Sequence, residues 1–506
     1  MTPEIVLGPP GTGKTTTLLG MVEEELARGV APDRIGYISF TRKATEEARS
    51  RATQRFSLRA SQLPWVRTIH SLCFAALGLS SSEVLEGPKL REFGDWIGVP
   101  VTGMVSGAEE GSTFGFETGD RCLFMENLAR VRMIPLRQQY DTNSDDLPWA
   151  LVDRVSRGLA EYKKARGLVD FTDMLQMFAD SEWSARLEVL FVDEAQDLSL
   201  LQWRVVERLA RGARRVVLAG DDDQAIYSWA GAATEHFVSM PGQARTLERS
   251  WRVPSAVQPT ALRILAGVRQ RRDKVWRPRE GSAGVVSRVQ SLDEVDFASG
   301  EETLVLSRNA CFLRDDAMPL LRSEGVLYDF RGATSVRQSL VEAILDWETL
   351  RRGERISIKQ AERVYQQLRV GEGVARGHKK LPAWTDRDEE VDIRDLRGRG
   401  GLLTDAIWHE AMDRIDPSDR AYMVKALRRG DRLTRRPLVR LSTIHGSKGG
   451  EAPHVVLIRD VAWRTYRESL DAPEDESRVW YVAATRAQER LTIVAPQTRS
   501  ERAFDI

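Results

Sequence analysis

A glycine-rich segment near the start of the chain constrains the fold more than any other feature of the sequence. It reads GPPGTGKT from Gly8 to Thr15 and fits the pattern G-x-x-x-x-G-K-[ST] at every fixed position. An apolar run from Ile5 to Leu7 precedes it, and a helical pattern from Lys14 to Arg28 follows it. A strand, a glycine-rich loop and a helix in this order predict a phosphate-binding site in a parallel α/β domain.

The residue types of this loop suit phosphate binding. Glycines let the backbone fold closely around phosphates and present amide groups at the positive end of a helix. Lys14 is expected to reach the β- and γ-phosphates, and the Thr15 hydroxyl to hold Mg²⁺. The alternative is a glycine-rich turn that fits the pattern by chance, and the flanking strand and helix argue against it. The predicted nucleotide ligands are Gly8, Pro9, Pro10, Gly11, Thr12, Gly13, Lys14, Thr15 and Thr16.

A second segment supplies the carboxylates that such a loop requires. It reads LEVLFVDEAQD from Leu187 to Asp197, which is a mostly apolar, β-prone run that ends in adjacent acids. Asp193 is the candidate Mg²⁺ ligand, and Glu194 is the candidate group that orients or activates the attacking water. Taken alone, the acids could form an exposed turn, but a buried strand before them favours the metal site.

A third segment repeats this arrangement of a strand followed by a polar loop. It reads RRVVLAGDDDQAIYSWAGA from Arg214 to Ala232. Strands that end in polar loops predict a parallel sheet with its ligands at the carboxyl ends. Gln224 is placed to sense a γ-phosphate, and Tyr227 and Trp229 offer flat faces that can stack on bases. The alternative for both aromatic residues is an ordinary place in the core.

Length and composition narrow the class of protein. The 506 residues predict two to four domains. The net charge is zero, with 74 basic and 74 acidic residues, which argues against a protein that merely coats nucleic acid. No apolar run approaches the ~20 residues of a membrane span, so no membrane partner is expected. Three cysteines far apart in the sequence offer neither a metal cluster nor a disulfide framework, which favours a cytoplasmic protein: Cys73, Cys122 and Cys311.

In their order, the three segments resemble motifs I, II and III of superfamily-one helicases of the UvrD/Rep/PcrA type. The other blocks of that family follow in the expected order, and together they span nearly all of the chain. They are SFTRKATEEAR (39–49, motif Ia), RTIHS (67–71, motif Ib), YKKARGLVDFTDML (162–175), LERSWRVP (247–254, motif IV), VRLSTIHGSKGGEAPHVVLI (439–458, motif V) and ESRVWYVAATRAQERL (476–491, motif VI).

This resemblance implies an α/β protein with two RecA-like parallel-sheet motor domains, each with a mainly helical insertion, and ATP in the cleft between them. Within the first insertion, the glycine-rich stretch from Gly103 to Asp120 predicts a loop. The expected ranges are 1–78 and 163–245 for the first motor domain, 79–162 for its insertion, 246–337 and 437–506 for the second motor domain, and 338–436 for its reduced insertion.

The resemblance also implies roles for individual residues. The expected catalytic set is Lys14, Asp193, Glu194, Gln224, Arg252 and Arg486, in which the two arginines come from the second motor domain as arginine fingers. Trp251 would stack on adenine, and Glu451 would lie near the nucleotide sugar. The expected contacts to single-stranded DNA are Phe40, Thr41, Thr68, His70, Tyr227, Trp229, Thr443 and His445. For each of these, capping a helix or filling the core is the alternative.

Three departures from the family pattern stand out. Only seven residues precede Gly8, so the glutamine-containing segment that reads adenine is missing, and we expect looser selectivity for ATP. Motif III has Ala230 where relatives commonly carry arginine, so coupling between ATP and DNA is expected to differ. Motif V reads KGGEAP, in which Gly450 and Ala452 loosen the loop around Glu451.

The function implied by the resemblance is an ATP-dependent, Mg²⁺-dependent helicase that moves 3′ to 5′ on single-stranded DNA and displaces the complementary strand at duplex junctions. The pathway, whether DNA repair, DNA replication or recombination, is left open. One alternative is a translocase that strips proteins from DNA. Another is the motor of a larger complex with a loading protein or nuclease subunit as partner. A DNA-binding module with a decayed ATP site is disfavoured because the catalytic set is present. The expected location is the cytoplasm or nucleoid, or the host cytoplasm if the chain is a compact viral member.

Overall fold

The structure is a computed structural model that describes residues 2–40, 42–104, 117–142, 146–182, 186–497 and 502–506, with the backbone alone at 42–44. Its strands, in chain order, are β1 (Glu4–Leu7), β2 (Ile35–Ser39), β3 (Val66–Thr68), β4 (Val189–Val192), β5 (Arg215–Gly220), β6 (Gln243–Thr246), β7 (Val285–Val289), β8 (Thr303–Ser307), β9 (Tyr328–Phe330), β10 (Ala333–Thr334), β11 (Ile356–Ser357), β12 (Glu390–Val391), β13 (Val439–Thr443), β14 (Ala452–Ile458) and β15 (Ala487–Val494). Its α-helices are α1 (Lys14–Ala27), α2 (Arg42–Phe56), α3 (Ile69–Ala76), α4 (Pro88–Ile97), α5 (Thr118–Val131), α6 (Leu136–Asp141), α7 (Trp149–Arg166), α8 (Phe171–Asp180), α9 (Leu200–Ala210), α10 (Thr234–Ser239), α11 (Val257–Ile264), α12 (Ala310–Phe312), α13 (Met318–Glu324), α14 (Gln338–Arg351), α15 (Ile358–Gln366), α16 (Ile393–Gly398), α17 (Trp408–Ala411), α18 (Pro417–Arg428), α19 (Trp463–Asp471) and α20 (Pro473–Ala484).

The first sheet brings the sequence motifs of the N-terminal half to one edge. Within the described residues it has six strands in the order β3-β2-β4-β5-β1-β6, and every neighbouring pair is parallel. All four residues of β4 are buried, as expected for a parallel strand covered by helices on both faces. Because parallel strands share a carboxyl edge, the residues after β1, β4 and β5 lie together there.

The second sheet has seven strands among the described residues, in the order β10-β9-β13-β8-β14-β15-β7. Its pairs are parallel except for the short β9–β10 pair, which is antiparallel. Helix α20 packs against this sheet with the side chain of Trp480 fully buried. The predicted α/β fold with two RecA-like parallel-sheet domains is therefore confirmed.

Both insertions are mainly helical, as expected, and each has its own core. Helices α4 to α7 enclose the buried side chains of Phe93 and Tyr162. Helices α14 to α18, with the antiparallel pair β11–β12, enclose Trp347 and Tyr365. Most of the predicted loop, 105–116, lies outside the described residues, but its end at 118–120 already belongs to α5, where the loop prediction is wrong. In the described part of the chain, no helix has both the length and the hydrophobicity to cross a bilayer.

Candidate active site

The glycine-rich loop joins β1 to α1 and encloses the side chain of Lys14. Gly11 and Gly13 have φ values of 70° and 81°, in the left-handed region that glycine adopts without strain. A Cβ on Gly8 would lie 1.9 Å from Cγ of Lys14, so only glycine leaves room for the lysine. The Lys14 ammonium donates to the Gly8 carbonyl at 3.0 Å and lies 3.6 Å from Glu194. A phosphate group bound in the loop would therefore contact the Lys14 ammonium.

Asp193 follows β4 and faces the start of α1. Its Oδ2 accepts hydrogen bonds from the Thr15 hydroxyl at 3.0 Å and from the Tyr37 hydroxyl at 2.8 Å. Burial and the neighbouring charge of Glu194 raise the pKa of Asp193 to about 6. A hydroxyl and a carboxylate at this distance form the oxygen pair that Mg²⁺ takes beside phosphates. The residues therefore fit the metal that the sequence predicts.

Glu194 has an unusual backbone conformation. Its φ is 54°, in the left-handed region that non-glycine residues rarely adopt and that is often found at functional sites. Its carboxylate accepts a hydrogen bond from Gln196 at 2.6 Å. Burial alone would raise the pKa of Glu194, but Lys14 and Lys448 outweigh this effect and lower it to about 2. The strained turn thus presents an ionised carboxylate beside Lys14.

Gln224 connects the first motor domain to Arg486 of the second. Its amide nitrogen donates to Asp221 at 2.7 Å, and its amide oxygen accepts from the Arg486 guanidinium at 2.7 Å. Arg486 is only 2% exposed and also donates to the carbonyls of Val482 at 3.0 Å and Gly450 at 3.3 Å. Burial and the nearby charge of Arg252 lower the pKa of Arg486 to about 9. Two neighbouring cations in a buried cleft favour an anionic ligand between them.

The segment after β6 lies directly on the glycine-rich loop. The Ser250 hydroxyl donates to the Pro10 carbonyl at 2.7 Å, and the Trp251 amide donates to the Gly11 carbonyl at 2.8 Å. A Cβ on Gly11 would lie 2.3 Å from Cβ of Arg252, so this close approach also requires glycine. The glycine-rich loop and this segment therefore form one continuous surface for a nucleotide, called the nucleotide surface.

Two threonines of the loop have hydrogen bonds within the protein. The Thr12 hydroxyl donates to the Pro9 carbonyl at 2.8 Å, and the Thr16 hydroxyl accepts from Arg51 at 3.3 Å.

Trp251 and Glu451 lie at the mouth of the nucleotide surface. Trp251 is 62% exposed, and the guanidinium of Arg249 lies 4.5 Å from the centre of its ring. Glu451 forms an ion pair with Arg252 and accepts from Gln488 at 2.9 Å. Burial would raise the pKa of Glu451, but Arg252 lowers it below the ordinary value. An exposed indole next to a phosphate loop can stack on a base.

Four aromatic residues from motifs Ia, III and V form a second group of side chains, called the aromatic cluster. The ring centres of Phe40 and Tyr227 are 5.2 Å apart, those of Tyr227 and Trp229 6.5 Å, and those of Trp229 and His445 6.1 Å. Phe40 and Tyr227 are buried, whereas Trp229 and His445 are half-buried. Phe124 of the first insertion extends this aromatic cluster, at 6.4 Å from Trp229. The aromatic cluster thus spans both motor domains and one insertion.

His445 contributes a polar atom to the aromatic cluster. Its Nε2 is buried and has no hydrogen-bond partner among the described residues. Burial and the charge of Arg308 lower the pKa of His445 to about 3, so the imidazole is neutral. A buried polar atom without a partner is unfavourable in the protein alone, and a ligand group could satisfy it.

The remaining predicted DNA contacts lie at helix and turn starts. The Thr68 side chain caps α3 by accepting from the Ser71 amide at 3.3 Å. His70 meets the ring of Phe171 edge-on at 5.9 Å. The Thr443 hydroxyl accepts from the Gly446 amide at 3.2 Å. Thr41 lies outside the described residues.

The sequence patterns did not single out Lys448, which joins the nucleotide surface to the aromatic cluster. Lys448 in motif V forms an ion pair with the buried carboxylate of Asp197 and donates to the Gln224 carbonyl at 2.8 Å. Its ammonium also lies 4.9 Å from the centre of the Tyr227 ring, within the range of a cation–π contact. Its place inside the motif V block was the only sequence signal that could have drawn attention to it.

Two family models match the chain. Residues 1–244 match the UvrD/REP helicase N-terminal domain, and residues 438–494 match the UvrD-like helicase C-terminal domain. The first match contains the glycine-rich loop, Asp193 and Gln224, and the second contains Lys448 and Arg486. The unmatched part between them includes the segment with Trp251 and the whole second insertion.

The chain is also similar to individual bacterial proteins. It is 23% identical over 330 residues to DNA helicase II of Haemophilus influenzae, which covers 59% of this chain and 43% of that protein. It is 24% identical over 295 residues to the ATP-dependent DNA helicase PcrA of Staphylococcus epidermidis, which covers 55% of this chain and 40% of that protein. It is 26% identical over 318 residues to the RecBCD enzyme subunit RecB of Mycolicibacterium smegmatis, with coverages of 51% and 29%. The chain thus spans less than half the length of these curated relatives.

Proposed function

Because the chain belongs to the UvrD/Rep helicase family, we propose that it is an ATP-driven motor that moves 3′ to 5′ on single-stranded DNA and displaces the complementary strand. The observation that carries the proposal is the double contact of Gln224 across the cleft. Its side chain meets Arg486, its carbonyl meets Lys448, and Tyr227 of the aromatic cluster follows three residues later. One short loop therefore touches the nucleotide surface, the second motor domain and the aromatic cluster.

The nucleotide surface supports ATP hydrolysis. Residues 8–16 would hold the phosphates, with the Lys14 ammonium on the β- and γ-phosphates. Thr15 and Asp193 would hold Mg²⁺, which neutralises charge on the phosphate oxygens when bound. Glu194 would orient or activate the attacking water, and Gln224 would sense the γ-phosphate.

The second motor domain would complete this site. Arg252 and Arg486 would neutralise the charge that develops during γ-phosphoryl transfer, and their approach would link ATP binding to closure of the cleft. Trp251 would stack on adenine, and Glu451 would lie near the sugar. The charge of Arg252 lies close enough to Arg486 to help lower the pKa of Arg486, which supports a shared anionic ligand.

The aromatic cluster supports single-stranded DNA as the track. Aromatic faces stack on bases of any sequence, which suits a motor that must pass over every sequence. The exposed parts of Trp229 and His445 are available for such contacts, whereas Phe40 and Tyr227 would support them from below. Thr41, Thr68, His70 and Thr443 are proposed to contact the backbone. A DNA track implies work in the cytoplasm or on the nucleoid.

A second candidate function is that of a motor subunit in a larger repair or recombination complex. The similarity to RecB, a subunit of the RecBCD enzyme, favours this candidate. In that case the partner would supply loading or nuclease activity, and the isolated chain would hydrolyse ATP and move on DNA but unwind poorly.

Strand displacement with matched DNA substrates tests the proposal. Duplexes with a 3′ tail, with a 5′ tail and without a tail would be compared, with ATP hydrolysis measured in parallel with and without single-stranded DNA. We expect unwinding from 3′ tails and hydrolysis that rises strongly with DNA. The Lys14→Ala variant serves as the control that should bind DNA but not hydrolyse ATP. Unwinding from 5′ tails alone would reject the proposed 3′ to 5′ polarity. A rate of ATP hydrolysis that does not change with single-stranded DNA would reject the proposed motor function.

A further inference from the structure

A buried lysine between the two motor domains has no place in the machinery proposed above. The side chain of Lys274 is fully inaccessible, and its ammonium lies 3.2 Å from Asp221, 2.5 Å from Asp222 and 3.1 Å from Asp223. All three carboxylates are also fully buried. Burial lowers the pKa of Lys274, but the three carboxylates outweigh this effect and raise it above its ordinary value. The lysine therefore remains a cation inside the protein.

The segment that carries Lys274 touches both motor domains. On the side of motif III, Arg271 binds the carboxylate of Asp223 through two hydrogen bonds of 2.8 and 2.5 Å. On the side of the second sheet, Arg478 of α20 donates to the Gln270 carbonyl at 2.7 Å. Because Arg486 follows two residues after the end of α20, this segment lies between motif III and the helix that positions the arginine.

A short chain of contacts leads from Lys274 to the nucleotide surface. Lys274 meets one carboxyl oxygen of Asp221, and the other oxygen accepts the Gln224 amide nitrogen at 2.7 Å. The Gln224 amide oxygen then accepts from Arg486 at 2.7 Å. An ionised carboxylate can only accept, and a guanidinium can only donate, so these two neighbours together dictate which way the amide points.

We propose that Lys274 is a positioning residue for ATP hydrolysis, which holds the Asp221 carboxylate by one oxygen so that the other accepts from the Gln224 amide nitrogen, and thereby turns the Gln224 amide oxygen toward Arg486, the arginine proposed to meet the γ-phosphate. This inference rests on the function proposed above. Lys274 meets all three buried carboxylates, and it meets Asp221 at the oxygen opposite the one that faces Gln224. Without Lys274, this oxygen of Asp221 loses its ammonium partner, so the carboxylate can turn and the Gln224 amide loses the acceptor that fixes its orientation toward Arg486.

Binding of two nucleotides tests the inference without hydrolysis or DNA. The affinities for Mg²⁺ with the triphosphate analogue AMPPNP and for ADP would be measured by calorimetry on the full chain. Lys274→Met is expected to lower the preference for the triphosphate about tenfold, since the hydrogen bond that holds Arg486 in place for the γ-phosphate is lost, with little change in the ADP affinity. In hydrolysis assays the same variant should lower kcat/KM for ATP at least about tenfold.

Two double variants keep the test decisive if the single variant does not fold. Lys274→Met with Asp222→Asn removes one charge of each sign but leaves the Asp221 carboxylate as the acceptor for Gln224, so the triphosphate preference should be retained. Lys274→Met with Asp221→Leu is also charge-balanced but lacks the acceptor, so the preference should fall about tenfold. Equal preferences in the two double variants would overturn the proposal.

A matched control separates positioning from stability. Lys163 is a largely buried lysine of α7 that lies 2.5 Å from Asp170 and 2.6 Å from Asp173. Lys163→Met should lower the melting temperature but leave the triphosphate preference unchanged. If Lys274→Met behaves in the same way, the role of Lys274 is structural and the inference is wrong. A lack of DNA-stimulated hydrolysis in the unmodified protein would instead reject the proposed function.

Discussion

Replacement of Lys448 by methionine tests how the second motor domain controls the nucleotide surface. The Lys448 ammonium pairs with Asp197, donates to the Gln224 carbonyl at 2.8 Å and lies over the Tyr227 ring at 4.9 Å. Methionine keeps the length of the side chain but loses all three contacts. We expect the variant to bind ATP and DNA separately but to show weak stimulation of hydrolysis by DNA.

The magnitude follows from the three contacts of Lys448. A hydrogen bond from a charged donor contributes about 1.5–3 kcal/mol, and a cation–π contact about 0.5–2 kcal/mol. The ion pair adds little near neutral pH, because burial raises the pKa of Asp197 to about 7 against the opposing effect of Lys448, and the carboxyl group can take up a proton. Since such contributions are not additive, we expect a loss of about 2 kcal/mol, or roughly 30-fold weaker stimulation by DNA.

Asp197 also gives the Lys448→Met variant a distinct pH dependence. The pKa of Asp197 in the folded protein, about 7, exceeds the ordinary value of 3.8. Between these values the folded state binds more protons than the unfolded state, so stability falls as the pH rises. Without Lys448 the folded pKa rises further, and the fall continues above about pH 7 in the variant alone. The destabilisation by the substitution should therefore grow by about 2 kcal/mol between about pH 6 and pH 8.5.

Steady-state hydrolysis with and without single-stranded DNA measures the coupling, and urea unfolding at the two pH values measures the stability difference. The exposed lysine Lys425, changed to methionine, is the matched control, because it lies in the second insertion and should leave both quantities unchanged. Normal DNA stimulation in Lys448→Met would refute the coupling role. A destabilisation that is equal at both pH values would refute the account of Asp197.

Three further substitutions test other parts of the site. Glu194→Gln should lower single-turnover hydrolysis at least about 100-fold while ATP still binds, because water is no longer activated, and near-normal turnover would exclude this role. Trp229→Ala should weaken single-stranded DNA binding about tenfold in fluorescence anisotropy, and an unchanged affinity would remove Trp229 from the interface. Trp251→Ala should raise KM for ATP about tenfold because stacking on adenine is lost. The melting temperature should not change, because Trp251 is 62% exposed. A normal KM would show that the indole does not hold adenine.

The strand ends of the site follow from local sequence, whereas the contacts across the cleft do not. An apolar, β-prone run before a polar loop suffices to predict β4 and β5 and therefore the places of Asp193 and Gln224. The pair of Lys448 and Asp197 joins positions 251 apart, and no local pattern tells which of 74 basic residues meets a given carboxylate. The ion pairs of Lys274 with Asp221, Asp222 and Asp223 could not be predicted from the sequence for the same reason.

Short-range sequence patterns also could not predict which side chains of a motif are buried. Tyr227 and Trp229 are two residues apart in one motif, yet Tyr227 is buried and Trp229 is half-buried. Thr68 matches a family DNA contact, but its hydroxyl also caps α3, which a threonine before a helix does in many proteins. The motif pattern therefore names candidates, and only the packing around each one separates a supporting residue from an exposed one.

The same packing indicates which part of the aromatic cluster moves when the cleft opens. Phe40 and Tyr227 both belong to the first motor domain and are buried against each other at 5.2 Å, so opening should leave this pair intact. His445 belongs to the second motor domain and would move together with Lys448, three residues further on, and with Arg486. Loss of the γ-phosphate would therefore separate His445 from Trp229, which are now 6.1 Å apart. Under the proposed function, each cycle of hydrolysis would loosen DNA at this contact while the first motor domain keeps its hold, which is the asymmetry that directional movement requires.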